Sequence, residues 1–164
     1  MQDFLRQFKG REHGPLAQFI KYAIAGGIAT TVHVSLFYFS AVKILPALNQ
    51  GDALARLLHL HAAAVSDVVR ARNSVIDNVI AFLFSNLTAY LINIKWVFES
   101  GRHHRVLEIG FFYLVSGISI VIGSSLMGFL IGRFGITTTM AFGANVLTSL
   151  LINFVLRKYL IFNG

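Results

Sequence analysis

AYLINIKWVF at 89–98 and NFVLRKYLIF at 153–162 stand 64 residues apart, and each closes a long apolar run with aromatic and cationic residues. A run of that length is a candidate membrane span, so the polar and cationic residues repeated at the two ends mark one kind of boundary met twice. The reading that follows is a membrane protein built from two copies of a helix pair.

The composition supports a lipid-exposed fold. With 164 residues there is room for one domain, yet 55 % of them are apolar and only 13 % charged, and the mean hydropathy is +0.68. A core able to bury that much apolar surface is larger than a chain of this length can enclose, so lipid covers part of it. The net charge of +7 raises the question of nucleic acid, but the Lys and Arg residues fall in short clusters between apolar segments rather than along one face. That pattern carries topology, and no nucleic-acid partner is expected. There is no cysteine, which excludes a disulfide framework and a thiolate metal site. The opening MQDFLRQFKGREHGPLAQF has neither a signal-peptide apolar region nor a small-residue cleavage site, so the first apolar segment is expected to be retained.

About 20 apolar residues rising about 1.5 Å each cross a hydrocarbon layer of about 30 Å. Four segments meet or approach that length, near 20–45, 76–98, 108–132 and 137–160. The expected fold class is therefore an all-α membrane protein of four transmembrane helices, a single domain over 1–164. Nine Lys and Arg residues fall on one side of these spans: Arg6, Lys9, Arg11, Lys21, Lys95, Arg102, Arg105, Arg157 and Lys158. Five fall on the other: Lys43, Arg56, Arg70, Arg72 and Arg133. The excess places both termini in the cytoplasm.

Between the first two spans, residues 51–72 put Leu54, Leu57, Leu58, Val65, Val68 and Val69 on one helical face and Arg56, His59, Ser66, Asp67 and Arg70 on the other. This spacing predicts an amphipathic helix lying in the headgroup plane. Aligning Gly27 with Gly117 gives an offset of 90, against 64 for the ends of the second and fourth spans, so the first half is longer by 26 residues. The amphipathic segment accounts for the excess as an insertion. Copies with an even number of spans are expected to be parallel, related by an axis along the membrane normal.

Three stretches resemble the GtrA family of small four-helix membrane proteins, which also supplies the membrane part of some dolichol-phosphate-mannose synthases. They are FIKYAIAGGIATTVH at 19–33, SNLTAYLINIKWVF at 85–98 and LLINFVLRKYLIF at 150–162. The resemblance runs from Phe19 to Phe162 apart from the insertion. Where the family often has Asn-Thr after the glycines and an acidic residue three positions beyond that Thr, this chain has Ala29-Thr30 and His33. The Asn-aromatic pair at 153–154 appears as Ala89-Tyr90 in the first copy. The resemblance implies a bacterial inner-membrane protein that moves a polyprenyl-phosphate-linked sugar, such as an undecaprenyl phosphate derivative, between leaflets for cell-surface polysaccharide or lipopolysaccharide modification. The alternative it implies is a membrane anchor or scaffold for a partner glycosyltransferase.

On that reading Lys95, Arg157 and Lys158 are candidate lipid-phosphate ligands at the cytoplasmic ends of the second and fourth spans, since Arg offers a fork of donors and Lys a mobile charge. The competing reading is that such cations only snorkel and fix topology. His33, near the middle of the first span, is either a partner for a sugar hydroxyl or phosphate or a neutral histidine bonded to a neighbouring helix. Asn86 and Asn93, seven apart, and Asn145, Ser149 and Asn153, four apart, form polar stripes. They read either as interhelical glue or as a headgroup pathway.

Ser124, Gly128 and Gly132 form a small-residue stripe that lets helices approach closely within the bundle or in a homodimer. Arg102, His103, His104 and Arg105 can meet anionic lipid headgroups or a partner enzyme. Tyr22, Trp96, Phe98, Tyr159 and Phe162 read as an aromatic belt.

His59 and His61 are two apart and point to different sides of a helix, so no metal is expected. No phosphate-cradling glycine loop, Ser-His-Asp set or paired carboxylates are present, and Asp77, Glu99 and Glu108 are expected only at span edges. The expectation is no catalysis, no cofactor and no ATP-driven step. A carrier of this kind equilibrates its cargo. The layout also invites comparison with small multidrug exporters, which need a carboxylate inside a span.

Overall fold

The computed structural model describes residues 15–60, 62, 64–97 and 105–156. Those residues form helices joined by short connections, with no strand among them. The elements are α1 (Pro15–Lys43), α2 (Ala53–Leu57), α3 (Asp67–Ile92), α4 (Arg105–Phe134) and α5 (Thr138–Leu156). One wide π turn, Asn93–Val97, continues α3. Three helices contain stretches long and apolar enough to cross a membrane, Ile20–Lys43, Asp67–Val97 and Ser116–Phe134.

α1 packs on α3, α3 on α4 and α4 on α5. The ring closes where Phe37 of α1 stacks on Phe142 of α5, centroids 4.1 Å apart, and where the Tyr38 hydroxyl donates to Thr139 Oγ1 at 3.0 Å. Large apolar side chains such as Phe39, Phe84, Leu114, Val121, Phe129 and Leu147 face outward, while Lys21, Arg70, Asp77, Asn78 and Asn145 are buried. Apolar outside and polar inside is the arrangement lipid selects, because a polar group turned to acyl chains has no partner there.

α3 begins at Asp67, well before the position near 76 that hydropathy indicates. Ser66 caps it, its hydroxyl accepting from Val69 N at 3.4 Å. The polar residues that depress the hydropathy of this first stretch, Arg70, Asn73, Ser74, Asp77 and Asn78, are all buried against neighbouring helices. Asp77 is accordingly not an edge residue. It lies ten residues into α3, about 15 Å along its axis, with no exposed surface, and Ser40 Oγ donates to its Oδ1 at 2.5 Å.

The amphipathic helix expected over 51–72 is not formed. Only Ala53–Leu57 is helical, the chain breaks at His59 with φ 49°, and residues from 67 onward belong to α3. Arg70, expected on the polar face, is instead fully buried, while Leu57 of the apolar face is 74 % exposed. The cause is a tertiary anchor that competes with helix continuation. Asp52 caps α2 through Leu54 N at 3.1 Å and caps α5 as well, its Oδ2 accepting from Thr139 N at 2.9 Å and its Oδ1 from Thr139 Oγ1 at 2.5 Å. Thr138 donates its hydroxyl to the Ala47 carbonyl, and Asn73 Nδ2 donates to the Pro46 carbonyl at 2.8 Å. The connection is thereby folded over the loop end of the bundle.

Arg70 locks the same end. Its Nη1 donates to Ile136 O at 2.5 Å, and its Nη2 donates to Gly135 O at 3.1 Å and Asp67 Oδ1 at 2.8 Å. Gly135 takes a left-handed φ of 63°, which closes the tight α4–α5 turn, and a Cβ there would stand 2.7 Å from Asp67 Oδ2. Replacing Arg70 with Ala strands two half-buried carbonyls and a carboxylate. We expect Arg70→Ala to lower unfolding stability in micelles by about 3 kcal/mol, and Arg70→Lys, which cannot reproduce the fork, to recover less than half of it.

Candidate functional site

Asn78 of α3 ties together all four long helices. His33 Nε2 of α1 donates to Asn78 Oδ1 at 2.9 Å, Asn145 Nδ2 of α5 donates to the same oxygen at 3.2 Å, and Asn78 Nδ2 donates to Ser124 Oγ of α4 at 2.8 Å. Because Asn78 Oδ1 only accepts, a His33 hydrogen sits on Nε2, and Nδ1 lies 3.0 Å from Ser85 Oγ, whose hydroxyl also reaches the Phe82 carbonyl at 3.2 Å. His33 also stacks on Phe142, centroids 5.8 Å apart. Asn145 approaches α4 at Gly123, where a Cβ would lie 2.1 Å from its Oδ1, so only glycine leaves room for this amide.

One side of the knot opens. A pocket of about 160 Å³ lies between α1 and α3, lined by Ala29, Thr30, His33, Ser85, Asn86 and Ala89. Thr30 is exposed on the outer face of the bundle, so the pocket faces sideways, toward lipid. The Asn86 side chain is buried and its Nδ2 has no hydrogen-bond partner among the described residues. A buried donor left unmade costs about 1–3 kcal/mol, an unusual loss unless a ligand or water supplies the acceptor. The volume holds a single small polar group rather than a drug-sized ligand, whose pockets start at about 300 Å³.

One turn further along α3 the helix widens. In the π turn Asn93 and Val97 are buried and Lys95 is exposed, and such bulges often mark functional positions because they re-aim side chains. Lys21 Nζ stands 5.5 Å from the Trp96 ring centroid and 3.5 Å from the Trp96 carbonyl, which joins the start of α1 to this end of α3. Thr30, His33 and Asn86 thus share one recess, and Asn93, buried, and Lys95, exposed, lie further along α3 toward the end opposite the two folded connections.

The structure therefore brings His33, Asn86, Asn93 and Asn145 to the bundle interior. His33 and Asn145 are tied into the Asn78 knot, Asn86 lines the pocket, and Asn93 keeps an unpartnered Oδ1. Lys95 is exposed and apart from the knot. The side chain of Asn153 and all of Arg157 and Lys158 lie outside the described residues, as do Arg102, His103, His104, Phe98, Tyr159 and Phe162. Ser124, Gly128 and Gly132 face α3: a Cβ at Gly128 would meet Val75 Cγ2 at 2.9 Å and one at Gly132 would meet Ala71 Cβ at 3.5 Å. This small-residue stripe serves packing within the chain.

The sequence reading missed Asn78 and Ser85, and it took Ser124 only as part of a small-residue stripe. Asn78, Ser85 and Asn93 repeat at seven or eight residues, the same signal that singled out Asn86. It was lost because a span starting near 76 made Asn78 an edge residue.

Outward apolar surface, spans of membrane length and an interior polar knot define a helical membrane protein. Among known families, the model of the GtrA/DPMS transmembrane domain matches residues 53–162, more than half of the chain, and the chain belongs to that family. It is a multi-pass membrane protein. The match begins at Ala53, so α1 precedes it. Comparison with curated proteins and with solved structures gave no match.

The knot and the pocket separate by mutation. Asn78→Ala should destabilise the protein by about 1–2 kcal/mol, and a His33/Asn78 double-mutant cycle should return a coupling of about 0.6 kcal/mol or more. Asn86→Ala, which breaks no bond among the described residues and removes an unmet donor, should leave stability unchanged or raise it by up to about 1–3 kcal/mol. Unfolding in mixed micelles measures all three.

Proposed function

We propose that the protein moves a polyprenyl-phosphate-linked sugar between the leaflets of the bacterial inner membrane, serving cell-surface polysaccharide or lipopolysaccharide modification. The observation that carries this reading is the sideways pocket with the unpartnered Asn86 amide. A lipid-borne headgroup has to enter from the bilayer while its tail stays in acyl chains, and a polar recess opening laterally suits that geometry. Family membership supports the cargo class.

In this mechanism Lys95, with Arg157 and Lys158 at the matching end of the second helix pair, holds the phosphate at the cytoplasmic face. The hydroxyls of the sugar exchange water for Asn93, then Asn86, Thr30 and His33. Each contact replaces a lost hydration bond, which lowers the barrier that a bare sugar meets in hydrocarbon. The pocket admits only part of the headgroup at once, so movement is stepwise. The chain acts without catalysis and without a cofactor, and consumption of the cargo on the far side sets the direction.

The topology of this proposal has four spans, with α1 and α3 as one pair and α4 and α5 as the other, the pairs parallel and both termini cytoplasmic, in keeping with nine cations on the Lys95 side against five on the other.

The test is leaflet exchange of a fluorescent short-chain prenyl-phosphate sugar in liposomes holding the purified protein and no glycosyltransferase. Exchange faster than in protein-free liposomes is expected and separates carriage from a scaffold role. Asn86→Leu should slow it by at least about tenfold while leaving the melting temperature within a few degrees. Lys95→Gln should raise the half-saturating cargo concentration more than it lowers the maximal rate. Exchange equal to that of empty liposomes would sink the proposal.

A further inference from the structure

At the opposite end of the bundle the connection between α1 and α3 forms a second pocket of about 420 Å³, lined by Gln50, Ala55, Arg56, His59, Leu60 and Ala62. Its two basic side chains differ from Arg70 of the same end. Arg70 is buried and bonded through both Nη atoms to Asp67 and three further oxygens, whereas Arg56 and His59 are exposed and their side chains make no hydrogen bond or ion pair among the described residues. The acids close by are already engaged: Asp52 is buried and caps two helices, and Asp67 pairs with Arg70. The pocket thus presents cationic and amide donors with no carboxylate to neutralise them.

The backbone is bent to make it. His59 adopts a φ of 49°, a left-handed conformation that non-glycine residues rarely take without a compensating reason. It is held by the bonds from Leu58 N to Leu54 O at 3.0 Å and from Leu60 N to Ala55 O at 2.8 Å. The result puts the imidazole and the Arg56 guanidinium, three residues apart, on one pocket wall. Beside that wall Leu57 and Leu58 are 74 % and 55 % exposed. Two bare leucines next to an arginine, at the end of a transmembrane bundle, match a segment that dips apolar side chains into the acyl boundary while its cation meets headgroups.

We propose that this pocket binds the phosphate of a membrane lipid at the surface opposite Lys95. Arg56 supplies a fork to two phosphate oxygens, His59 and Gln50 each supply a further donor, and Leu57 and Leu58 seat the acyl chains. The ligand class is a lipid phosphate monoester or diester. The site uses none of the residues of the pocket between α1 and α3 and holds whether or not the protein carries cargo.

Native mass spectrometry of the full chain in non-ionic detergent tests it. The Lys95→Gln/Arg157→Gln/Lys158→Gln variant serves as background, so that the other end of the bundle is silent. The probes are dioleoyl phosphatidic acid, dioleoylglycerol with the same tails and no phosphate, and inorganic phosphate. Phosphatidic acid should be retained and dioleoylglycerol should not. Arg56→Gln should weaken retention by about tenfold or more, and His59→Gly, which also relieves the left-handed backbone and so keeps the fold, by a smaller factor. Leu57→Ser with Leu58→Ser should weaken phosphatidic acid and leave inorganic phosphate unchanged. Wild-type retention in both Arg56→Gln and His59→Gly overturns the site. Displacement of the lipid by inorganic phosphate at equal concentration overturns the lipid as its source.

Discussion

The structure depends on one amide. Asn78 gives both lone pairs of Oδ1 to donors from α1 and α5 and one N–H to a hydroxyl on α4, so its own helix is bonded to every other long helix at one level. In water such bonds compete with solvent and contribute little. In a bilayer the hydrophobic effect does not drive helices together, since lipid tails are as apolar as leucine, and packing and interhelical hydrogen bonds decide which faces meet. A helix that rotated away from this register would carry its amide into acyl chains. The knot therefore selects register and rotation together, and the apolar contacts around it, Phe37 on Phe142 and Met127 with Ile131, fill the space that this selection defines.

Two features of the bundle are legible in the residues and two are not. The long apolar runs announce the spans, and the amide spacing at 86 and 93 announces a buried polar face, because period and composition are local properties of a single helix. The start of α3 is hidden, since Arg70, Asn73, Asp77 and Asn78 lower the hydropathy of a stretch whose polar groups are in fact satisfied by other helices. A window average counts them as if they faced lipid. The fate of residues 51–72 is hidden for a related reason. Their apolar periodicity is real, but Asp52 finds a better use at the start of α5, 87 residues away in sequence, and no local pattern encodes that choice.

Asp77 shows how much rests on such boundaries. A chain with no acid inside a span looks unlike an exporter that works through a buried carboxylate, and with the span begun near 76 this chain fits that description. The structure places Asp77 inside, with one oxygen on the Ser40 hydroxyl and the other without a partner. The absence of a carboxylate therefore cannot separate this fold from small exporters. What separates it is the family match and the placement of the acid. Asp77 belongs to the core on the Ser40 side, whereas the recess that opens toward lipid is lined by neutral donors and acceptors.

The two ends of the bundle are built to different rules. At the loop end, Asp52, Arg70, Asn73 and Thr138 each bond to a group from another element, so the α4–α5 turn and the connection after α1 are fixed to one another. At the other end, α1 and α3 meet through the Lys21 contact with Trp96, next to a π turn whose looser ladder lets a helix shift locally. The carriage proposed above asks for both kinds. One end must hold its register, or the bundle would separate when its interior bonds are exchanged for those of the cargo. The other must yield enough to admit a group larger than the resting recess. Asn78 stands between the two. Asn86 and Asn93, each with an amide atom unpartnered among the described residues, lie on the π-turn side of it, and in that proposal a hydroxyl meeting either one offsets the loss of packing that entry entails.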